Sequence, residues 1–197
     1  MAYCNKTTLE YFTVCDLSPC QNGGSCNEQG GVHTCNCTYY FYGANCEKGC
    51  NVTPPVGMEN GAISNSSITA STEYSSNFAA WSGRLRHLWS SWSPSTGRAG
   101  EWLQVDLGKT INVTGVATQG HPDASYWVTV YRLTYKRSAS SSFKNYKKGV
   151  FFIGNTDRST VVKHDLSPLI SARYVRLIVI DYKTWPALRI EIYGPCL

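Results

Sequence analysis

The sequence predicts an all-β chain in two parts: a small disulfide-built module followed by a β-sandwich or barrel. Three observations carry this reading. Eight of the nine cysteines fall within the first fifty residues, from Cys4 to Cys50, and the ninth is Cys196. Apolar and polar residues alternate along 102–107 and 128–136, as expected for strands with one face buried. Clusters of Gly, Pro, Asn and Ser separate such runs, and no amphipathic helical stretch of useful length lies between them.

The cysteine-rich part is too small to hold together by burial alone, so cross-links must supply its stability. Zinc is the other common use of close cysteines, and it calls for paired C-x2-C or Cys/His spacing. The nearest pair is Cys35-Asn36-Cys37, with no histidine at a ligand-like offset. Disulfides are therefore expected, and no metal or other cofactor. Six of the cysteines run Cys15-x4-Cys20-x5-Cys26-x8-Cys35-x1-Cys37-x8-Cys46. Six cysteines allow about fifteen pairings, and spacing alone does not choose among them. Asn22-Gly23-Gly24 and Gln29-Gly30-Gly31 punctuate this part as turns around short strands.

Disulfides imply an oxidising compartment, so the chain is expected to be extracellular, secreted or part of an ectodomain. Sequons at Asn5, Asn36, Asn51, Asn65 and Asn112 agree. Asn36 sits between two cysteines and is set aside, which leaves Asn5, Asn51, Asn65 and Asn112 as glycosylation candidates. No run of about 18 apolar residues reads as a transmembrane helix. Met1-Ala2-Tyr3-Cys4 does not read as a signal peptide. Residues 1–14 are accordingly expected to be the remnant of an upstream segment, with Cys4 left over.

In the second part, strands are expected at 102–107, 128–136, 173–180 and 188–193, which are rich in Ile, Val, Tyr and Arg. Tyr131, Leu133 and Tyr135 should share one buried face. Asp106 stands in an apolar strand, as do Arg176 and Arg189; it shares a face with Gln104, so either a solvated edge carboxylate or a structural pair with one of those arginines is expected.

The net charge of +5 is uneven. Residues 1–49 hold two Lys/Arg against four Asp/Glu, and residues 50–197 hold sixteen against nine, giving −2 and +7. A basic second part suits anionic partners such as glycosaminoglycans, acidic lipid heads or acidic protein faces. Nucleic acid is not expected, since no recognition helix, zinc finger or RNP-type motif accompanies the charge.

Nor is an enzyme. Gly108-Lys109-Thr110 mimics a P-loop ending, but Leu103 occupies the position of the first glycine. There is no G-x-S-x-G, and His33, His87, His121 and His164 stand apart in sequence. His164-Asp165 reads as a surface pair, and oxidised cysteines are not nucleophiles.

The stretches Cys20-Gln21-Asn22-Gly23-Gly24-Ser25-Cys26 and Gly43-Ala44-Asn45-Cys46-Glu47 resemble EGF-like domains. The resemblance covers residues 15–47 and implies the pairs Cys15–Cys26, Cys20–Cys35 and Cys37–Cys46. It also makes Ser25, in the pattern C-x4-S/T-C, a candidate for O-fucose. Calcium-binding members carry an acidic cluster before the first cysteine. Tyr11-Phe12-Thr13-Val14 offers no carboxylate there, so this module is read as calcium-free.

Residues 50–196 resemble discoidin (coagulation factor V/VIII type C) domains in seven ordered blocks. These are Gly57-Met58-Glu59-Asn60-Gly61, Ile68-Thr69-Ala70-Ser71, Trp102-Leu103-Gln104-Val105-Asp106-Leu107-Gly108, Thr118-Gln119-Gly120, Gly154-Asn155-Thr156-Asp157, Ala172-Arg173-Tyr174-Val175-Arg176-Leu177 and Leu188-Arg189-Ile190-Glu191-Ile192-Tyr193-Gly194. The resemblance implies a β-sandwich or jelly-roll barrel and a closing disulfide, Cys50–Cys196. Such a bridge would contribute about 4–5 kcal/mol by restricting the unfolded chain.

It also implies ligand contacts on three projecting loops, 72–80, 87–91 and 121–126. The candidate residues are Tyr74, Asn77 and Phe78 on the first, Arg86, His87, Leu88 and Trp89 on the second, and His121, Asp123 and Tyr126 on the third. Trp81, Trp92, Trp102 and Trp185 are expected to pack in the core or at its rim.

Secreted adhesion proteins of the lactadherin type share this domain pairing, although no Arg-Gly-Asp occurs in this chain. The first loop lacks paired tryptophans of the lipid-binding pattern and the acidic residues of calcium-dependent lectin relatives. Recognition of a cell-surface or matrix protein or glycan is therefore the leading expectation. Anionic phospholipid such as phosphatidylserine is second, and an architectural matrix role third.

Overall fold

The computed structural model describes residues 3–4, 11–38, 41–49 and 53–195. The expected Cys50–Cys196 bridge and the sequons at Asn5 and Asn51 fall outside them. The chain divides into two compact units, Met1–Pro54 with Pro195–Leu197, and Pro55–Gly194.

In the first unit, β1 (Tyr3–Cys4) pairs with β2 (Tyr11–Phe12), β3 (Ser25–Gln29) with β4 (Val32–Asn36), and β5 (Phe41–Tyr42) with β6 (Lys48–Gly49), all antiparallel. The β3–β4 hairpin turns at Gly30 and Gly31, whose φ values of 62° and 75° match the two-residue turns that follow strand twist. Disulfides join Cys15 to Cys26, Cys20 to Cys35 and Cys37 to Cys46, with Cα separations of 5.7, 5.5 and 5.3 Å. Cys46 is the one fully buried side chain among the described residues of this unit. Cross-links thus take the place of a core. The carboxylate of Glu28 accepts from the backbone N–H of Val14 at 2.7 Å, which ties the entry to the first disulfide onto the hairpin.

The second unit is a β-sandwich built on two long strands. Its strands are β7 (Ile68–Ala70), β8 (Trp102–Gln119), β9 (Trp127–Lys136), β10 (Lys144–Asn145), β11 (Phe151–Ile153), β12 (Val162–Lys183) and β13 (Arg189–Tyr193). The hydrogen-bonded order is β10–β9–β12–β8–β13, with β11 also on β9 and β7 on β8. β8 and β12 each serve both layers. Residues 102–106 of β8 lie between β7 and the second half of β12, while 115–119 lie between β13 and its first half.

The core follows the period-two alternation. Leu103, Val105, Tyr131, Leu133, Val175, Leu177 and Val179 point inward from one layer, and Val116, Ile190 and Ile192 from the other, all fully buried. Burying each such side chain contributes about 1.5–3 kcal/mol. Trp92 seals one end, with its indole N–H donating to the Thr72 carbonyl at 2.9 Å. Tyr131 stacks on Phe152 with ring centroids 5.2 Å apart, and burial pushes its hydroxyl pKa up. Tyr135 shares this face but is only half-buried, because the two-residue β10 covers little of β9 at that end.

The carboxylate of Asp106 pairs with neither Arg176 nor Arg189. Arg173 takes it in a bidentate fork, Nε to Oδ1 at 2.7 Å and Nη2 to Oδ2 at 2.9 Å. The reason is register. An irregularity in the β12–β8 ladder between Ala172 and Tyr174 sets Tyr174 opposite Asp106 and frees Arg173 to reach it. Arg176 lies opposite Gln104, and Arg189 lies opposite Gln119 at the far end of β8. The Arg173 and Asp106 side chains keep 37% and 22% of their exposure, so the pair contributes about 1 kcal/mol at most.

Candidate functional site

The three candidate loops meet at one end of the sandwich, held by backbone pairing and buried polar side chains. In the first, the backbone N–H of Tyr74 donates to the Ser93 carbonyl at 2.9 Å, and the N–H of Ser93 donates to the Phe78 carbonyl at 3.2 Å. Glu101 anchors its base, accepting from Ser71, from Thr72 at 2.8 Å and from Thr96 at 2.5 Å. Burial is the largest single influence on the Glu101 carboxyl and raises its pKa, but the three hydroxyls together outweigh it and hold the pKa below the ordinary value.

Arg189 binds the other loops from beneath. Its guanidinium donates to the carbonyls of Gly120 (2.6 Å), His87 (2.7 Å) and Arg158 (3.2 Å). Burial lowers its pKa to about 10, and Asp123 partly opposes that shift. Gln119 adds a second clasp, accepting from the Arg86 N–H at 3.1 Å and donating to the Ser159 carbonyl at 2.6 Å. In the third loop, Nδ1 of the buried His121 accepts from the backbone N–H groups of Asp123 (3.1 Å) and Ala124 (2.9 Å). That arrangement requires the neutral ring, and burial lowers the His121 pKa accordingly.

Tyr74, Phe78, Ser93, Tyr126, Thr184 and Trp185 line an open cleft of about 400 Å³ between these loops. The Tyr74 ring meets Phe78 and Trp185 edge-on at 5.7 and 6.0 Å, while His121 bridges Phe78 and Tyr126 at 5.8 and 6.1 Å. The Trp185 indole N–H donates to the Pro94 carbonyl at 3.3 Å. The lining carries aromatic faces and hydroxyls and no ionised group. Such a surface suits stacking against a sugar ring or an apolar peptide side chain.

Leu88 and Trp89 project beside the cleft instead of lining it, 72% and 80% exposed. Arg86 forms an ion pair with Glu59 at 2.5 Å, and His87 packs edge-on against Trp81 at 5.6 Å. The side chains of Asn77 and Asp123 are exposed, and their carbonyls accept from Ser90 and Arg158. Of the glycosylation candidates among the described residues, Ser25, Asn65 and Asn112 are exposed, and Asn65 also accepts from Arg84 at 2.7 Å.

Three cleft residues, Ser93, Thr184 and Trp185, are not among the candidate ligand-binding residues. Trp185, expected in the core or at its rim, is half-buried at the rim and also forms a cleft wall. Thr184 adopts φ 61°, a left-handed conformation costing about 1–3 kcal/mol in a β-branched residue. The neighbouring Trp185 N–H donates to the Lys183 carbonyl at 2.7 Å, closing this tight turn. Nothing local in the sequence signals that strain. The indole of Trp185 was the available signal. His164, by contrast, donates to or accepts from no carboxylate in the described contacts: its Nε2 meets the Ile153 carbonyl at 2.8 Å, while Asp165 pairs with Lys163.

The chain matches curated relatives over most of its length. It is 33% identical over 193 residues to retinoschisin of Takifugu rubripes, an alignment covering 88% of this chain and 65% of that protein. Coagulation factor VIII of Canis lupus familiaris is 39% identical over 151 residues, covering 71% of this chain and 6% of its own. Neuropilin-1 of Mus musculus is 34% identical over 145 residues, covering 71% of this chain and 16% of its own. This chain therefore spans less than two thirds of each. Among solved structures, discoidin II of Dictyostelium discoideum superposes with a TM-score of 0.63 at 24% identity, covering 66% of this chain and 55% of that one. The family 32 module of C. perfringens NanJ, solved in complex with galactose, superposes at 0.54 and 17% identity, covering 67% of this chain and 97% of that one. These two likenesses establish the shared fold. The domain is a binding module and not an enzyme. The family model of the F5/8 type C domain matches residues 64–192, and the chain belongs to that family.

Proposed function

We propose that this chain is an extracellular recognition module that binds a cell-surface or matrix protein or glycan through the loop end of its sandwich. The observation that carries this reading is the uncharged aromatic cleft of Tyr74, Phe78, Tyr126 and Trp185. Stacking there loses little conformational entropy, since the rings are already set by their neighbours and by the Glu101 and Arg189 anchors. Residues 15–47 act as an EGF-like spacer and 50–196 as the discoidin-type binding domain, as in adhesion proteins of the lactadherin type. The three disulfides support an oxidising, extracellular setting. A glycan array including galactose-terminated sugars, run beside collagen and other matrix proteins, tests the reading. Wild type should bind at least one class, and Trp185→Ala should lose that binding. Retained binding in Trp185→Ala and Tyr74→Ala would remove the cleft from the function.

A second reading is favoured by the exposure of Leu88 and Trp89. Large apolar side chains at a loop tip can bury themselves among lipid headgroups, with His87 and Arg86 near the anionic surface. The Glu59 partner of Arg86 works against this role by neutralising it. Co-sedimentation with vesicles with and without phosphatidylserine separates the two readings, because only lipid binding should depend on Trp89. Failure to bind in every assay would leave the architectural role.

A further inference from the structure

We infer that the outer face of the β9–β12–β8 layer is a second binding surface, one that takes a sulfated polysaccharide chain and is separate from the loop cleft. On this face the residues of neighbouring strands that point away from the core fall into rows, with Thr134 covered and its row neighbours half-buried. Arg132 lies opposite Ile178, which lies opposite Trp102; Thr134, Arg176 and Gln104 form the next row, and Lys136, Tyr174 and Asp106 the third. Cations therefore occupy each row, with Arg173 reaching the third through its fork to Asp106. Lys136 lies four positions beyond Arg132 on β9, about 13 Å at strand rise. Arg176 lies one strand over and between them.

Three of these cations, Arg176, Lys136 and Arg173, rest on aromatic rings. The Arg176 guanidinium lies 3.8 Å from the Trp102 ring centre and 3.9 Å from that of Phe143. Lys136 lies 5.0 Å from Phe143 and 4.8 Å from Tyr174, and Arg173 lies 5.1 Å from Tyr174. Gln104 occupies only Nε and Nη2 of Arg176. Arg132 is half-buried; its Nε is itself buried and has no hydrogen-bond partner among the described residues, so any contact with a ligand falls to the outer guanidinium nitrogens. The donation from Thr110 to the Arg137 carbonyl at 3.1 Å brings the turn carrying Lys109 beside Arg137 at the same end. Against this group stand Asp106, already committed to Arg173, and Asp181 at the opposite, loop-side end of the face.

Such a surface has the charge of its partner written into it. A row of cations with few carboxylates attracts a linear polyanion. Guanidinium forks fit the planar-edge acceptors of sulfate and carboxylate groups, and stacking on rings fixes the cations before binding, so less rotamer freedom is lost. A membrane is the less fitting anionic partner: the cations lie flat on a sheet face, while the apolar tip of Leu88 and Trp89 belongs to the loop end.

Titration of the whole chain with a heparin octasaccharide tests the inference. Affinity should fall steeply with added salt, and Arg132→Gln with Lys136→Gln should weaken binding about tenfold or more. Arg98→Gln with Lys163→Gln removes the same net charge elsewhere and should change it less than about twofold. Arg176→Lys keeps the charge while losing the planar fork, and should weaken binding with little change in melting temperature. Trp185→Ala should leave heparin binding intact, which keeps this surface distinct from the cleft. Equal losses from both glutamine pairs, or no binding of the octasaccharide, would overturn the inference. So would vesicle binding that depends on Arg132 and Lys136 when the octasaccharide does not bind.

Discussion

Nη1 of Arg189 donates to the carbonyl of His87 at 2.7 Å, joining the last strand of the sandwich to the loop that carries Trp89. With its bonds to Gly120 and Arg158, one buried side chain sets the spacing of three loops. Arg189→Met should leave buried carbonyls without donors, at about 1–3 kcal/mol each. Urea unfolding should report a loss of about 3 kcal/mol, toward the upper end of single substitutions. Arg189→Lys keeps a charge but not the fork, and should recover only part of that loss. Hydrogen exchange at loops 87–91 and 121–126 should rise in both variants. A stability change below about 0.5 kcal/mol would show that the loops are positioned by other contacts.

Ligand binding at the cleft should weaken as pH falls. Burial holds the His121 pKa below its ordinary 6.5. The neutral ring is therefore the folded form, and its contribution, complete above pH 6.5, is lost as pH drops toward the folded pKa. Protonation removes the acceptor for the Asp123 and Ala124 N–H groups and loosens the turn that carries Tyr126. Affinity for a cleft ligand measured between pH 7.5 and 5 should fall several-fold in wild type. His121→Asn should flatten the profile. An identical pH profile in the variant would assign the effect to another group.

Acid unfolding should begin at two carboxylates. The Arg173 fork is the main influence holding the Asp106 pKa below the ordinary value, and backbone N–H groups of Thr160 and Ser159 help hold Asp157 at about 2. Both pKa values are depressed by folding, so both contributions are present above about pH 4 and are lost as pH falls toward 2. The stability of Asp106→Asn should be lower than wild type at pH 7 by about 1 kcal/mol or less. The two should converge at pH 2, as followed by tryptophan fluorescence in urea. A constant difference across this range would rule out the Asp106 ion pair as its source.

The two loop tryptophans should separate stability from binding. Trp89 is 80% exposed, and Trp89→Ala should change stability by no more than about 0.5 kcal/mol. Trp185 packs against Tyr74 and donates to Pro94, so Trp185→Ala should cost about 1–2 kcal/mol while the fold persists. Thermal melts of both variants, read beside glycan and vesicle binding, decide which tip engages which ligand.

Strand character was legible because it is written locally. Leu103 and Val105 alternate with Gln104 and Asp106, and that period of two states which side is buried before any partner strand is known. The candidate loops came from the family resemblance, and of their residues Tyr74, Phe78 and Tyr126 share one cleft. The cleft was not, because one of its walls is Trp185, far along the chain from the loops it faces.

By itself, the sequence determined an all-β class, a cysteine-dense unit too small to rely on burial, and a basic sandwich with apolar loop tips. Those properties depend on composition and short-range periodicity. The tertiary structure alone decided that Asp106 meets Arg173, that Arg189 clasps three loops and that Arg176 lies between Trp102 and Phe143. Each depends on which strands lie side by side and on where their register slips. The irregularity that sets residues 107–110 of β8 against the single residue 173 of β12 changes which side chains face one another, and the cost of that slip is settled by packing across the whole sandwich.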